Sequence, residues 1–184
     1  MNASPSFANL TALAIVFCCS AAVAEDRNNL GSPEAKRQPW KVALFGGLGA
    51  TQPHGSFGNI YSSGISGTIG FEFLLSSEYS IELYASRHRF NAEGSAFDID
   101  VTEAGVNARL YLTQVSPRWF AIAGLHSYSF DPGSTRMGVG VGIGTDWVIA
   151  PRLSIEGRYQ LHSVSSNTPN SRLSSAHLGL RLEF

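Results

Sequence analysis

Past residue 19 the chain has no cysteine, and the two it does have, Cys18 and Cys19, sit side by side within the first 24 residues. The rest of the chain therefore has no thiol for a disulfide, a redox motif or a thiolate metal site. An excess of charge of one sign is also missing. Lys plus Arg number 13 against 14 for Asp plus Glu, a formal net charge of -1, so no basic field exists to gather nucleic acid or anionic headgroups. Long apolar runs are scarce. Mean hydropathy is +0.01 although 43% of residues are hydrophobic, which excludes a helical membrane bundle and suits short alternating strands.

The first 24 residues have no Asp, Glu, Lys or Arg, are apolar from Leu10 to Val23, and end Ala22-Val23-Ala24 before Glu25. This is the pattern of a secretory signal peptide cleaved near Ala24, with only the α-amino group supplying positive charge at its start. The apolar run is shorter than the roughly 20 residues that a spanning helix needs. Phe17 and Cys18 ahead of Cys19 argue against a lipid-attachment site, which requires small residues there. Residues 25–39 are polar, contain Pro33 and Pro39, lack periodicity and read as a short tether. Residues 40–184 are enough chain for one domain.

From Trp40 onward eight segments alternate with period two: Lys41–Thr51, Gly64–Leu75, Tyr79–Phe90, Val101–Thr113, Arg118–Phe130, Thr135–Ile149, Arg152–His162 and Leu173–Phe184. The last places Ala176, Leu178, Leu180, Leu182 and Phe184 on one face and His177, Arg181 and Glu183 on the other. Leu153, Ile155, Gly157, Tyr159 and Leu161 likewise oppose Ser154, Glu156, Arg158, Gln160 and His162. The connections alternate between short turns and longer loops. An even number of such strands predicts an all-β fold, an eight-stranded antiparallel up-and-down transmembrane β-barrel with its apolar face toward lipid. A soluble lipocalin-like binder would show a polar exterior instead.

That geometry singles out two groups of residues. Trp40, Tyr79, Trp119, Trp147 and Phe184 all fall at the end of the barrel that holds the chain termini, as an aromatic girdle at the headgroups would. Glu72, Glu82, Glu103, Asp146, Glu156 and Glu183 point inward with Arg109, Arg158 and Arg181. A barrel this narrow is filled by side chains, so these charges are expected to pair as an ionic plug. Pairing Glu156 opposite Arg181 would keep like charges apart. A narrow polar conduit is the functional alternative.

Gly138, Gly140, Gly142 and Gly144 repeat every second residue with no helix after them, so they are not a phosphate cradle. As inward positions they leave room for bulky Arg and Tyr from opposite strands, or for a ligand. His54, His88, His126, His162 and His177 fall in the outer half or the loops without metal-ligand spacing and read as scattered surface histidines. No cofactor or metal site is expected.

The opening Phe45-Gly46-Gly47-Leu48-Gly49, the strand Leu153-Ser154-Ile155-Glu156-Gly157-Arg158-Tyr159 and the ending Leu180-Arg181-Leu182-Glu183-Phe184 resemble the small outer-membrane barrels of the OmpA and OmpX type. The resemblance covers about Trp40 to Phe184 and is moderately specific for the barrel. It implies outer-membrane lipid and lipopolysaccharide as surroundings, a periplasmic tether, and recognition of the terminal strand and Phe184 by the barrel assembly machinery. Unlike in OmpA, no peptidoglycan-binding domain is expected after the barrel. The function implied is non-enzymatic, structural or in surface interaction, with the loops Gln52–Ser63, Asn91–Asp100 and Ser163–Arg172 available to an extracellular ligand. Lipid A 3-O-deacylases share the topology and carry a late His-x-Ser motif. Here His162 precedes Ser163 and Val164, with Ser165 and Glu156 nearby, so the family spacing is absent and acyl hydrolysis is only an alternative.

Overall fold

The computed structural model describes residues 41–92, 98–131, 133–165 and 171–184. Trp40, the expected signal peptide and the expected tether lie outside them. Alternation of β-branched and aromatic residues with polar ones extends each segment as a strand: β1 Lys41–His54, β2 Gly64–Leu74, β3 Tyr79–Phe90, β4 Ile99–Tyr111, β5 Arg118–Asp131, β6 Thr135–Ala150, β7 Leu153–Val164 and β8 Arg172–Glu183. Every strand pairs antiparallel with its sequence neighbour, and β1 pairs with β8 to close an eight-stranded barrel. Closure leaves no sheet edge with unpaired backbone groups.

These are the strands read from the sequence, with shifted ends. β1 runs on to His54 because its pairing with β8 continues to His54↔Arg172, past the Thr51↔Gly64 limit of its pairing with β2. The short turns are held by side chains. Ser76 Oγ accepts from the backbone N–H groups of Glu78 and Tyr79, both at 3.1 Å, and Thr113 Oγ1 accepts from Trp119 N–H at 2.8 Å. At the β6–β7 turn the register shifts between Val148 and Ala150.

The pleat sorts the side chains. Leu48 is 76% exposed and Ile65 73%, while Glu72, Glu82 and Arg181 on the inner face are 0% exposed. This inverts the pattern of a soluble protein, in which charge faces solvent and leucine is buried. Each strand thus contributes an apolar outer stripe and a polar inner one, which suits a wall between lipid and a filled lumen.

The expected facing of Glu156 and Arg181 is not found. Glu156 lies opposite Gly179, and Arg181 opposite Ser154. Like charges do meet across neighbouring strands, as Glu72 opposite Glu82 and Asp146 opposite Glu156. The rule of opposite charges on facing positions assumes that partners must be neighbours in the wall. In a narrow closed barrel a guanidinium on a long stem reaches carboxylates several strands away.

Candidate functional site

The interior is layered along the barrel axis. Nearest the short turns, Arg118 donates through Nε and Nη2 to the two carboxylate oxygens of Asp146, both at 2.8 Å, and Nη2 reaches Glu183 at 3.3 Å. Arg181 joins this group, bonding Glu183 and donating through Nε to Glu72 at 2.5 Å. Glu72 also accepts from Ser80 Oγ at 2.6 Å and from Tyr111 OH at 2.8 Å.

Deeper in, Arg109 gathers three carboxylates. Its Nη1 lies 3.6 Å from Glu72 and its Nη2 2.8 Å from Glu156, and Nη2 also pairs with Glu82. Arg158 spans Glu82 through both terminal nitrogens, at 3.2 and 3.1 Å, and bonds Glu156 through Nε at 2.7 Å. Aromatic faces cover the cations: Arg109 sits 3.9 Å over the Phe120 ring and Arg158 4.6 Å over Phe45. Fully desolvated guanidinium groups persist only where carboxylates and ring faces replace the lost water.

Of the nine inward charges singled out from the sequence, eight lie in this connected network, which also takes in Arg118. Arg118 was not among them because it opens β5 at the barrel rim, where strand alternation alone does not decide direction. Glu103 stands apart. It accepts from Tyr84 OH at 2.5 Å and from His88 Nε2 at 2.9 Å, and lies 3.0 Å from His126 Nδ1.

His54 is exposed as expected, but the other four histidines are not scattered over the surface. His88, His126 and His162 are 1–3% exposed and His177 9%, all on the lumen face of the outer half. His126 Nδ1 lies 3.2 Å from His162 Nδ1, and the Tyr128 hydroxyl contacts both. His88 Nδ1 meets Thr51 Oγ1 and His177 Nε2 meets Ser66 Oγ, each at 2.8 Å. His54, near the loops, bonds Ser174 Oγ. Sequence spacing could not show this, because the residues come from β3, β5, β7 and β8 and meet only across the closed lumen. The usable signal was that His88, His126, His162 and His177 each occupy an inward position of their strand.

The glycine stripe of β6 makes space for neighbours in the wall rather than for Arg and Tyr from opposite strands. A Cβ on Gly144 would strike the Phe120 ring, and one on Gly140 the His126 ring. Adjacent strands lie only about 4.8 Å apart, so large β5 side chains lean across β6. Above the histidines an apolar cap of Phe90, Val101, Tyr128, Val164 and Leu173 closes the lumen, with Phe57, Tyr61 and Phe130 packed on it.

Of the girdle residues, Trp119 and Trp147 are exposed at the short-turn end with Phe184, and Tyr79 there is half-buried. Trp40 lies outside the described residues. His162 and Ser163 point to opposite faces of β7, so they cannot act as base and nucleophile on one substrate.

No protein-family model and no curated protein matches this sequence. Solved structures do match. Neisserial surface protein A superposes with a TM-score of 0.62 at 19% identity, covering 78% of this chain and 97% of that one. Ail, the attachment invasion locus protein of Yersinia pestis, gives 0.55 at 12% identity over 80% of this chain and all of its own. The N-terminal β-barrel domain of Pseudomonas aeruginosa OprF gives 0.50 at 15% identity over 78% and 97%. With its closed meander, apolar exterior and charged interior, the chain has the fold of the small eight-stranded outer-membrane β-barrels.

Proposed function

We propose that the protein is a non-enzymatic, non-conducting barrel of the outer membrane whose work is structural or lies in surface contacts at its long-loop end. The filled lumen carries this reading. Glu72, Glu82, Arg109 and Arg181 are 0–1% exposed inside the barrel, and Phe90, Val101 and Leu173 form an apolar cluster toward the loops. A conduit would need continuous wet space.

Solutes would instead meet the mouth. A cavity of about 360 Å³ there is floored by Phe57, Ile60, Ile99 and Phe130 and edged by Arg136 and Arg172, a size and chemistry suited to a ligand with an apolar body and anionic groups. Ail, which shares the fold, has been crystallised with the heparin analogue sucrose octasulfate. On the outer wall Arg87 and Arg89 follow the apolar Ile81, Leu83 and Ala85 toward the loop end, at the level where lipopolysaccharide phosphates would lie. Envelope fractionation, gel migration with and without boiling, and planar-bilayer recording test the reading together. The expected result is an outer-membrane protein whose mobility shifts on heating and which adds no conductance. A soluble periplasmic protein, or resolved single-channel steps, would overturn it.

A further inference from the structure

We propose that Glu103, His126, His162 and Tyr128 form a four-coordinate site for a zinc-class divalent cation inside the barrel. The four donor atoms are His126 Nδ1, His162 Nδ1, Glu103 Oε1 and the Tyr128 hydroxyl oxygen. All six separations among them are short: 3.2 Å between the two nitrogens, 3.0 and 3.4 Å from these to Glu103, 2.9 and 2.8 Å from these to Tyr128, and 3.4 Å from Tyr128 to Glu103. A tetrahedron with ligands about 2.0 Å from its centre has edges of about 3.3 Å, which is the cage zinc takes.

The surrounding bonds orient the donors. Asn107 Nδ2 donates to Glu82 at 3.0 Å, so its amide oxygen is the atom that faces His126 Nε2, also at 3.0 Å. A carbonyl oxygen only accepts, so Nε2 must carry the proton. In neutral His126 this leaves Nδ1 as a lone pair aimed at the Glu103 carboxylate, a contact between two acceptors that a bound cation would relieve. Donation of the outer ring N–H to a carbonyl is how metal-binding histidines are commonly fixed. Ser175 Oγ stands 3.2 Å from His162 Nε2, where it can accept that ring's N–H, and His88 and Tyr84 hold Glu103.

The donors come from β4, β5 and β7, so a bound ion would tie strands across the lumen over the glycine stripe, where Gly140 leaves their rings room. Two nitrogens, a carboxylate and a phenol suit zinc better than copper(I) or calcium. The apolar cap implies that the ion enters as the barrel closes.

The test is to refold the full chain, with Cys18→Ser and Cys19→Ser removing its two thiols and without an affinity tag, in detergent micelles with Zn²⁺ or Co²⁺, remove free metal by gel filtration, and measure metal retained per folded chain. About one equivalent is expected, with the intense visible ligand-field bands of tetrahedral Co²⁺. His162→Gln should lower retention at least about tenfold while His54→Ala leaves it unchanged. Folded wild-type barrel that keeps no ion, a six-coordinate Co²⁺ spectrum, or folded His162→Gln that retains metal as well as wild type would each overturn the site. The first of these would leave His126 as an imidazolium paired with Glu103. The wild-type readings stand even if His162→Gln fails to fold.

Discussion

The two halves of the lumen solve the same problem with different chemistry. The short-turn half neutralises buried carboxylates with arginine, through Arg109, Arg118, Arg158 and Arg181, whereas the loop half surrounds the Glu103 carboxylate with tyrosine and histidine. Arginine keeps its charge under all ordinary conditions, so the first half is permanently ionic. Imidazole and phenol groups are also metal donors, so the second half holds the chemistry that the proposed cation would use. One half of this lumen is a permanently ionic plug and the other is a cluster of polar rings around one carboxylate.

Removing an arginine should break that comparison most severely. Arg109→Met leaves Glu72, Glu82 and Glu156 short of a cation in a desolvated interior, with an expected loss of about 3–5 kcal/mol. Urea unfolding in micelles, read by the heat-dependent gel shift, measures it. In the loop half Glu103→Gln keeps the shape and removes the charge, and should cost about 2 kcal/mol while abolishing metal retention. If Glu103→Gln cost as much as Arg109→Met in the same assay, the two halves would be equally rigid and the contrast would fail.

Gly140→Ala sharpens the contrast by steric means. Its new methyl group meets the His126 ring and stands 3.2 Å from His162 Nδ1, so a loss of about 1–2 kcal/mol and weaker Co²⁺ retention are expected. The smallest effect belongs to the outer wall. Arg87→Ala removes an exposed pair with Asp100 and should leave the unfolding midpoint within experimental scatter. A clear fall would give that surface pair a structural role.

Strand positions and faces were legible because period two is a local property: a residue such as Tyr84 or Arg158 faces inward whatever its neighbours do. Partner choice was not. Glu156 opposite Arg181 was a reasonable pairing for a flat sheet, but the chain places Gly179 there and lets Arg109 and Arg158 reach Glu156 instead. The histidines show the same limit more strongly. His126 and His162 lie 36 residues apart on β5 and β7, with β6 between them, yet their Nδ1 atoms are 3.2 Å apart.

By itself the sequence determined the eight alternating strands, the inward set of charges and the apolar exterior, since each depends on a repeat of two. Only the tertiary structure decided which charges pair, that Glu103 leaves the ionic group for the histidines, and that the β6 glycines accommodate β5 rings. Those outcomes depend on closure and register, which set distances between residues remote in the chain. A local pattern gives the direction in which a side chain points, but the closed barrel fixes what it meets.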